Sequence, residues 1–185
     1  MTTLRNTQAA WGTIAKTFHW VVGLAAIVLL ADGWWMTHLV GRDGRLTQYQ
    51  LHSVIGYYLL LLIALRLLWR ASNPVPALPG QLADWEKGAA IAAHWLLYLL
   101  MLAVSISGWL VSQSLSRPIE ATLFGVIPVP NPLGASAREL HETLEETNHV
   151  LSYTLLALIV LHAASALRHH FWKKNDVLRR MWWSS

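Results

Sequence analysis

Four apolar runs separated by polar segments organise the chain, at residues 19–39, 51–69, 91–111 and 149–167. Each is close to the roughly 20 residues an α-helix needs to cross the hydrocarbon of a bilayer. Between the first two runs lies Gly41-Arg42-Asp43-Gly44-Arg45, a predicted polar turn. Between the second and third lies Asn73-Pro74-Val75-Pro76-Ala77-Leu78-Pro79-Gly80, whose prolines cannot continue a helix. The segment before the fourth run carries Pro118, Pro128, Pro130 and Pro132 and ends in a charged stretch, 138–146, that predicts a helix start at the membrane surface. The pattern predicts an all-α, integral membrane four-helix bundle in one domain, residues 1–185. The first run is too long for a signal-peptide core and no small-residue cleavage site follows it, so it is read as a retained span.

Composition agrees with lipid contact. Charged residues make up 13% of the chain and hydrophobic ones 55%, and the mean hydropathy is positive. A soluble domain carries about 25% charged residues. Trp34, Trp35, Trp69, Trp85 and Trp172 stand where apolar runs end, as an interfacial aromatic belt requires. The net charge of +4 raises nucleic-acid binding, but the placement of the charges argues against it. With four spans, both termini share a side with the second loop. That side holds Arg5, Lys16, Arg66, Arg70, Lys87, Arg168, Lys173, Lys174, Arg179 and Arg180; the other holds only Arg42, Arg45, Arg117 and Arg138. The imbalance predicts that both termini lie in the cytoplasm. The long third loop, with Glu120, Glu139, Glu142, Glu145 and Glu146, is then outside.

The absence of cysteine excludes disulfides, thiolate zinc sites, iron–sulfur clusters and covalent haem attachment. Nine histidines remain as the best metal ligands. His19 opens the first span, His52 the second and His94 the third, and His162 lies within the fourth. Imidazole is a common axial ligand of haem iron, and bundle cores are where such cofactors sit, so b-type haem held between helices is predicted. Depth sorts the ligands. His19 and His162 both lie toward the cytoplasmic side and suit one haem. His52 starts its helix at the outer face and needs a partner at the outer end of another span.

Specific pieces then occur in order: Phe18-His19-Trp20, Leu51-His52-Ser53-Val54-Ile55-Gly56, Arg66-Leu67-Leu68-Trp69-Arg70 and Ala93-His94-Trp95-Leu96-Leu97-Tyr98. They continue with Ser107-Gly108-Trp109-Leu110, Phe124-Gly125, Leu161-His162-Ala163-Ala164, His169-His170-Phe171 and Asp176-Val177-Leu178-Arg179-Arg180-Met181. This ordered set resembles the bacterial cytochrome b561 proteins. The resemblance implies a four-helix membrane cytochrome with two bis-histidine b haems, one near each face. Some members of that family resemble superoxide oxidases that pass electrons to ubiquinone; others are electron-transfer subunits of larger enzymes.

One position departs from the family pattern, in which the fourth helix carries two ligand histidines fourteen residues apart. Fourteen residues is about four turns, which keeps both side chains on one face. Counting back from His162 reaches Asn148, which is not a haem ligand. His149 has nearly the right depth but is turned by about 100° on a regular helix. His141 faces roughly the right way but lies about 10 Å too far out. It sits in His141-Glu142-Thr143-Leu144, itself similar to the family's ligand motif. The expected ligand set is therefore His19, His52 and His162 with either His149, favoured on depth, or His141.

Other residues carry two readings. His94 is a neighbour of the inner haem or part of a quinone pocket, against a plain interfacial residue. His169 and His170, with Thr17 and Trp172, line a quinone headgroup or anchor a basic helix end. Arg66, Arg70 and Arg168 pair with haem propionates or simply hold the cytoplasmic side. Asp32 is a proton carrier or an interfacial cap, and His38 reads as a solvated loop residue. Two functions follow: an oxidoreductase taking electrons from a small outer donor such as superoxide to ubiquinone, or a haem relay between the quinone pool and a redox partner protein. The acidic third loop opposes an anionic donor unless Arg42, Arg45, Arg117 or Arg138 focuses it.

Overall fold

The computed structural model describes residues 3–115, 118–133 and 138–183. Arg117, Ser136 and Ser184, and the side chains of Arg42, Asp43, Arg138 and Glu139, lie outside the described part. Four long helices carry the chain: α1 (Thr13–His38), α2 (Arg42–Ala71), α3 (Asp84–Gln113) and α4 (Arg138–Phe171). A two-stranded hairpin, β1 (Thr122–Leu123) with β2 (Ile127–Pro128), lies between α3 and α4, and a 3₁₀ turn covers Arg179–Met181. All four helices are long and apolar enough to cross a membrane. Val28, Leu68, Leu99, Val160 and Leu161 are all more than half exposed, as lipid-facing side chains must be.

Each helix runs beyond its apolar stretch. The expected polar turn at 41–45 shrinks to residues 39–41, because α2 already starts at Arg42. Here Gln48 and Tyr49, polar residues of the first turns of α2, find partners on other helices and need no loop. Helix α3 starts at Asp84, with the Glu86 carboxylate accepting the Ala83 backbone N–H at 3.2 Å, the reach-back half of a capping box. The helix start expected at 138–146 is the start of α4 itself. At 34 residues α4 is about 50 Å long, well over the ~30 Å hydrocarbon thickness, so its charged end can stand clear of lipid.

The helices divide into two compact units, each taking a segment from all four. The terminal unit contains Met1–Leu24, Leu62–Leu99 and Ala157–Ser185; the loop unit contains Ala25–Leu61 and Leu100–Leu156. In the terminal unit the buried Asn6 side chain accepts the Gly12 N–H at 3.0 Å and donates to the Pro74 carbonyl at 2.9 Å, fixing the N-terminal arm. A Cβ at Gly12 would lie 2.4 Å from the Arg5 carbonyl carbon, so only glycine allows this fold-back. The C-terminal tail is latched in the same unit. Lys16 donates to the Trp182 carbonyl at 2.7 Å and the Trp20 indole to the Met181 carbonyl at 3.0 Å. Arg180 bonds the Ala77 and Ala9 carbonyls, each at 2.8 Å.

In the loop unit the hairpin turns through Phe124 and Gly125, with φ of 54° and 72°. Two successive positive φ values closed by Val126 N–H to Leu123 C=O at 3.1 Å make a type I′ turn. Glycine suits the second position; Phe124 carries strain there. Its N–H donates to the Tyr58 hydroxyl at 3.0 Å and its ring packs edge-on against Tyr58 at 5.5 Å, which offsets that strain. Beneath the hairpin, the Tyr57 hydroxyl meets Ser112 Oγ at 2.6 Å, and the Gln113 amide donates to Tyr57 at 3.2 Å and to the Ile119 carbonyl at 3.1 Å.

Candidate cofactor sites

In the terminal unit, three histidines from three helices converge. The rings of His19 (α1) and His162 (α4) have centroids 6.2 Å apart. His94 (α3) lies closer to His162, at 5.3 Å, edge to face. Two metal–imidazole bonds of about 2 Å, each extended by roughly 1.2 Å to the ring centre, would place opposed ligand rings about 6.4 Å apart. The His19–His162 spacing fits that arrangement; the His94 spacing is shorter. Arg66 and Arg70 border this cluster from α2. The Arg66 guanidinium stands 5.1 Å from the Tyr98 ring centre, and that of Arg70 5.6 Å from Trp95. One turn beyond Arg66, the buried Trp69 indole N–H has no acceptor among the described residues. A carboxylate carried by a bound cofactor would satisfy it.

Tautomers separate these histidines further. His94 Nδ1 lies 2.6 Å from the Ala90 carbonyl, which only accepts, so Nδ1 carries the proton and Nε2 has a free lone pair. His19 is held the other way. Arg66 Nη2 lies 3.1 Å from its Nδ1, and a guanidinium only donates, so Nδ1 is the acceptor. A neutral His19 then keeps its proton on Nε2. Ligation through Nε2 requires that proton to leave and Arg66 to release the ring. The Arg66 guanidinium would then be available to an acidic group of the cofactor.

Neighbouring residues engage several of the side chains that carry two readings. Arg168 pairs with the buried Glu86 at 3.5 Å, and Lys173 with the same carboxylate at 2.5 Å, which ties the end of α4 to the start of α3. That is an anchor between helices. His169 is buried and its Nδ1 meets the Asn175 amide at 2.9 Å. His170 packs edge-on to Phe171, while Thr17 and Trp172 are exposed. His38 closes α1 rather than lying in a loop; it stacks on Trp34 at 5.0 Å and bonds the Trp34 carbonyl through Nδ1.

In the loop unit, His52 (α2) is engaged by a residue that the sequence did not mark as its partner. Its Nδ1 lies 2.8 Å from Asp32 Oδ2 (α1), and the Gln48 amide donates to Asp32 Oδ1 at 2.6 Å. A Cβ at Gly33 would stand 3.4 Å from His52 Cε1, so the ring lies close against the α1 backbone. The ring keeps 30% exposure, which leaves a face open to a flat cofactor. The sequence signal was an aspartate inside an apolar run, twenty residues before a span-opening histidine.

The α4 side of this unit is different. Asn148 donates to the Val104 carbonyl at 3.0 Å and to Ser107 Oγ at 2.9 Å, both on α3. Gly108 leaves room for that amide, with a Cβ position 3.4 Å from Nδ2. Helix α4 is continuous through this region, with no bulge to rotate His149 into the place of Asn148. His141 Nδ1 lies 2.7 Å from Ser114 Oγ, and its Nε2 is 3.9 Å from Glu145. Arg45, one of the arginines expected to attract an anion, bonds the Val40 carbonyl at 3.2 Å.

Among the described residues, no three histidine or acidic side chains converge to hold a bare metal ion. Haem supplies four of its iron's ligands itself, so one or two histidines suffice, and such histidines are present in both units. A membrane bundle with these sites belongs to the class of membrane cytochromes. More narrowly, the chain belongs to the prokaryotic cytochrome b561 family, whose model matches residues 10–184. It is 35% identical over 177 residues to cytochrome b561 homolog 2 of Escherichia coli (strain K12), covering 95% of this chain and 93% of that protein. It is 30% identical over 166 residues to a probable superoxide oxidase, CybB, of Yersinia pestis, covering 88% and 90%. Cytochrome b561 homolog 1 of Escherichia coli (strain K12) is 26% identical over 167 residues. The protein is thus a bacterial multi-pass membrane protein that transfers electrons by means of b-type haem.

Proposed function

We propose that the chain binds two b haems and passes electrons from a small donor at the outer face, superoxide, to ubiquinone at the inner face. The inner haem is held by His19 and His162 and the outer haem by His52. The observation that carries this reading is the 6.2 Å spacing of the His19 and His162 rings from opposite helices. With two imidazoles on an iron, no coordination position is open, and electrons enter and leave through the haem edge. The second outer ligand comes from α4: His149, reached by a local distortion of the helix, with His141 as the alternative. His94 and His169 border the quinone end. The purified chain, given superoxide and a soluble ubiquinone, is expected to reduce the quinone in step with superoxide loss. No quinone reduction with both haems bound would refute this reading.

A relay role, between the quinone pool and a redox partner protein, has its own support. The hairpin exposes Phe124, Val126 and Ile127, each more than half accessible, and the connection between α3 and α4 is followed by Glu142, Glu145 and Glu146 in the first turns of α4. An apolar tip of this kind suits a protein partner, whereas the glutamates repel an anion.

Both termini lie in the cytoplasm in this reading, on the strength of the ten-to-four distribution of basic residues. A cysteine introduced at Ser136 is expected to react with a membrane-impermeant reagent in intact cells, and one at Ser184 only after the membrane is opened. The reverse labelling would invert the topology.

A further inference from the structure

Asp32 is an acidic residue within a membrane-spanning helix, and such residues are costly unless they serve a purpose. Its two oxygens are both used: Oδ2 on His52 Nδ1 at 2.8 Å and Oδ1 on the Gln48 amide at 2.6 Å. Its side chain is 22% exposed and that of His52 30%, so the pair is largely shielded from water. We propose that Asp32 is the positioning residue of the outer haem ligand, holding His52 in one tautomer and one orientation and giving it the character of an anionic ligand. The inference rests on the reading of His52 as that ligand.

Three physical steps lead there. First, a carboxylate oxygen only accepts, so the proton of a neutral His52 is on Nδ1 and the Nε2 lone pair is free for iron. The contrast with His19 is direct, since Arg66 donates to the corresponding nitrogen there. Second, Gln48 holds the other carboxylate oxygen and Gly33 the ring's flank, so neither partner is free to rotate away. Third, a carboxylate behind a metal-bound imidazole raises the basicity of the ligand. Added electron density and negative charge favour ferric over ferrous iron, and they act strongly where water is scarce. Asp32 therefore holds the outer haem at a lower potential than an imidazole backed by a neutral group would. A low-potential haem at the electron-entry side passes its electron onward readily.

The test is redox potentiometry of the purified full-length chain with its haems bound, read alongside ferric electron paramagnetic resonance. His52→Ala is measured first. It is expected to remove one haem, and the midpoint that disappears identifies the outer haem. If His52→Ala retains both haems, the ligand reading itself fails, separately from the role of Asp32. Asp32→Asn keeps the shape and removes the charge. It is expected to keep both haems and to weaken the ferric preference of the outer one about tenfold, a rise of about 59 mV for one electron. Asp32→Glu is expected to return the midpoint toward its original value. If Asp32→Asn accumulates too little protein, Gln48→Leu probes the same contact from the other oxygen. Freed of that donor, the carboxylate leans more fully on His52, and the outer midpoint is expected to fall. An outer midpoint unmoved by Asp32→Asn, or by Gln48→Leu where that variant stands in, with haem content intact, overturns the proposal.

Discussion

Alanine in place of either His19 or His162 is expected to lower the haem content from two per chain to one. In the proposed inner site both rings hold the same haem, and a single remaining imidazole would leave it with one protein ligand. The haem that stays should keep its midpoint and its low-spin spectrum, because its ligands belong to the other unit. A pyridine haemochrome assay against protein mass, with a reduced-minus-oxidised spectrum, checks both points. His94→Ala provides the control. Its ring is nearer to His162 than that of His19 is, so proximity alone would make it the ligand. The expected result is two haems retained in His94→Ala. Loss of a haem there, with both kept in His19→Ala, would exchange their roles.

The second large effect concerns Asn148. In the helical phase of α4 it occupies the place from which a ligand would reach the outer haem, and its amide is committed to Val104 and Ser107. Bringing His149 round costs those two bonds, each about 1 kcal/mol, along with regular helix geometry. In the proposed arrangement the outer haem would therefore be the more weakly held of the two. Asn148→His is expected to place an imidazole in phase and to give a low-spin outer haem that survives loss of either neighbour. In the unaltered chain, His149→Ala is expected to turn the outer haem high-spin and His141→Ala to leave it unchanged. Low-temperature electron paramagnetic resonance separates these states. If neither change alters the signal, the second ligand is not a histidine of α4, and carbon monoxide should then bind the reduced outer iron.

Hydrophobic pattern and depth were enough to reveal four spans and to bring His19 and His162 together. Both depend on counting along single helices, and helical rise and periodicity are local properties. The limits of the helices were less legible. Residues 42–50 and 138–146 suggest turns and surfaces when read by hydropathy, yet they lie within helices, where Gln48 bonds Asp32 and Tyr49 bonds Glu145 on neighbouring helices. The Asp32–His52 contact was hidden for a different reason. It depends on the rotation of two helices about their own axes, which an apolar run does not record. The turn through Phe124 was also obscured, since a phenylalanine at positive φ is tolerated only because Tyr58 meets both its N–H and its ring. Asn148 was recognised as a departure from the family's spacing. Only the fold shows that its amide is bound to α3 and is not idle.

The latch between α1 and the tail imposes an order on biogenesis. Lys16 and Trp20 hold the carbonyls of Trp182 and Met181, contacts that span 166 and 161 residues of chain. His19, between those two anchors in sequence, likewise waits for His162. The ribosome must therefore have added Met181 and Trp182 before these contacts can form. In the proposed inner site, a nascent chain with only three helices inserted would offer one of the two histidines, so haem would be held there only once α4 is in place.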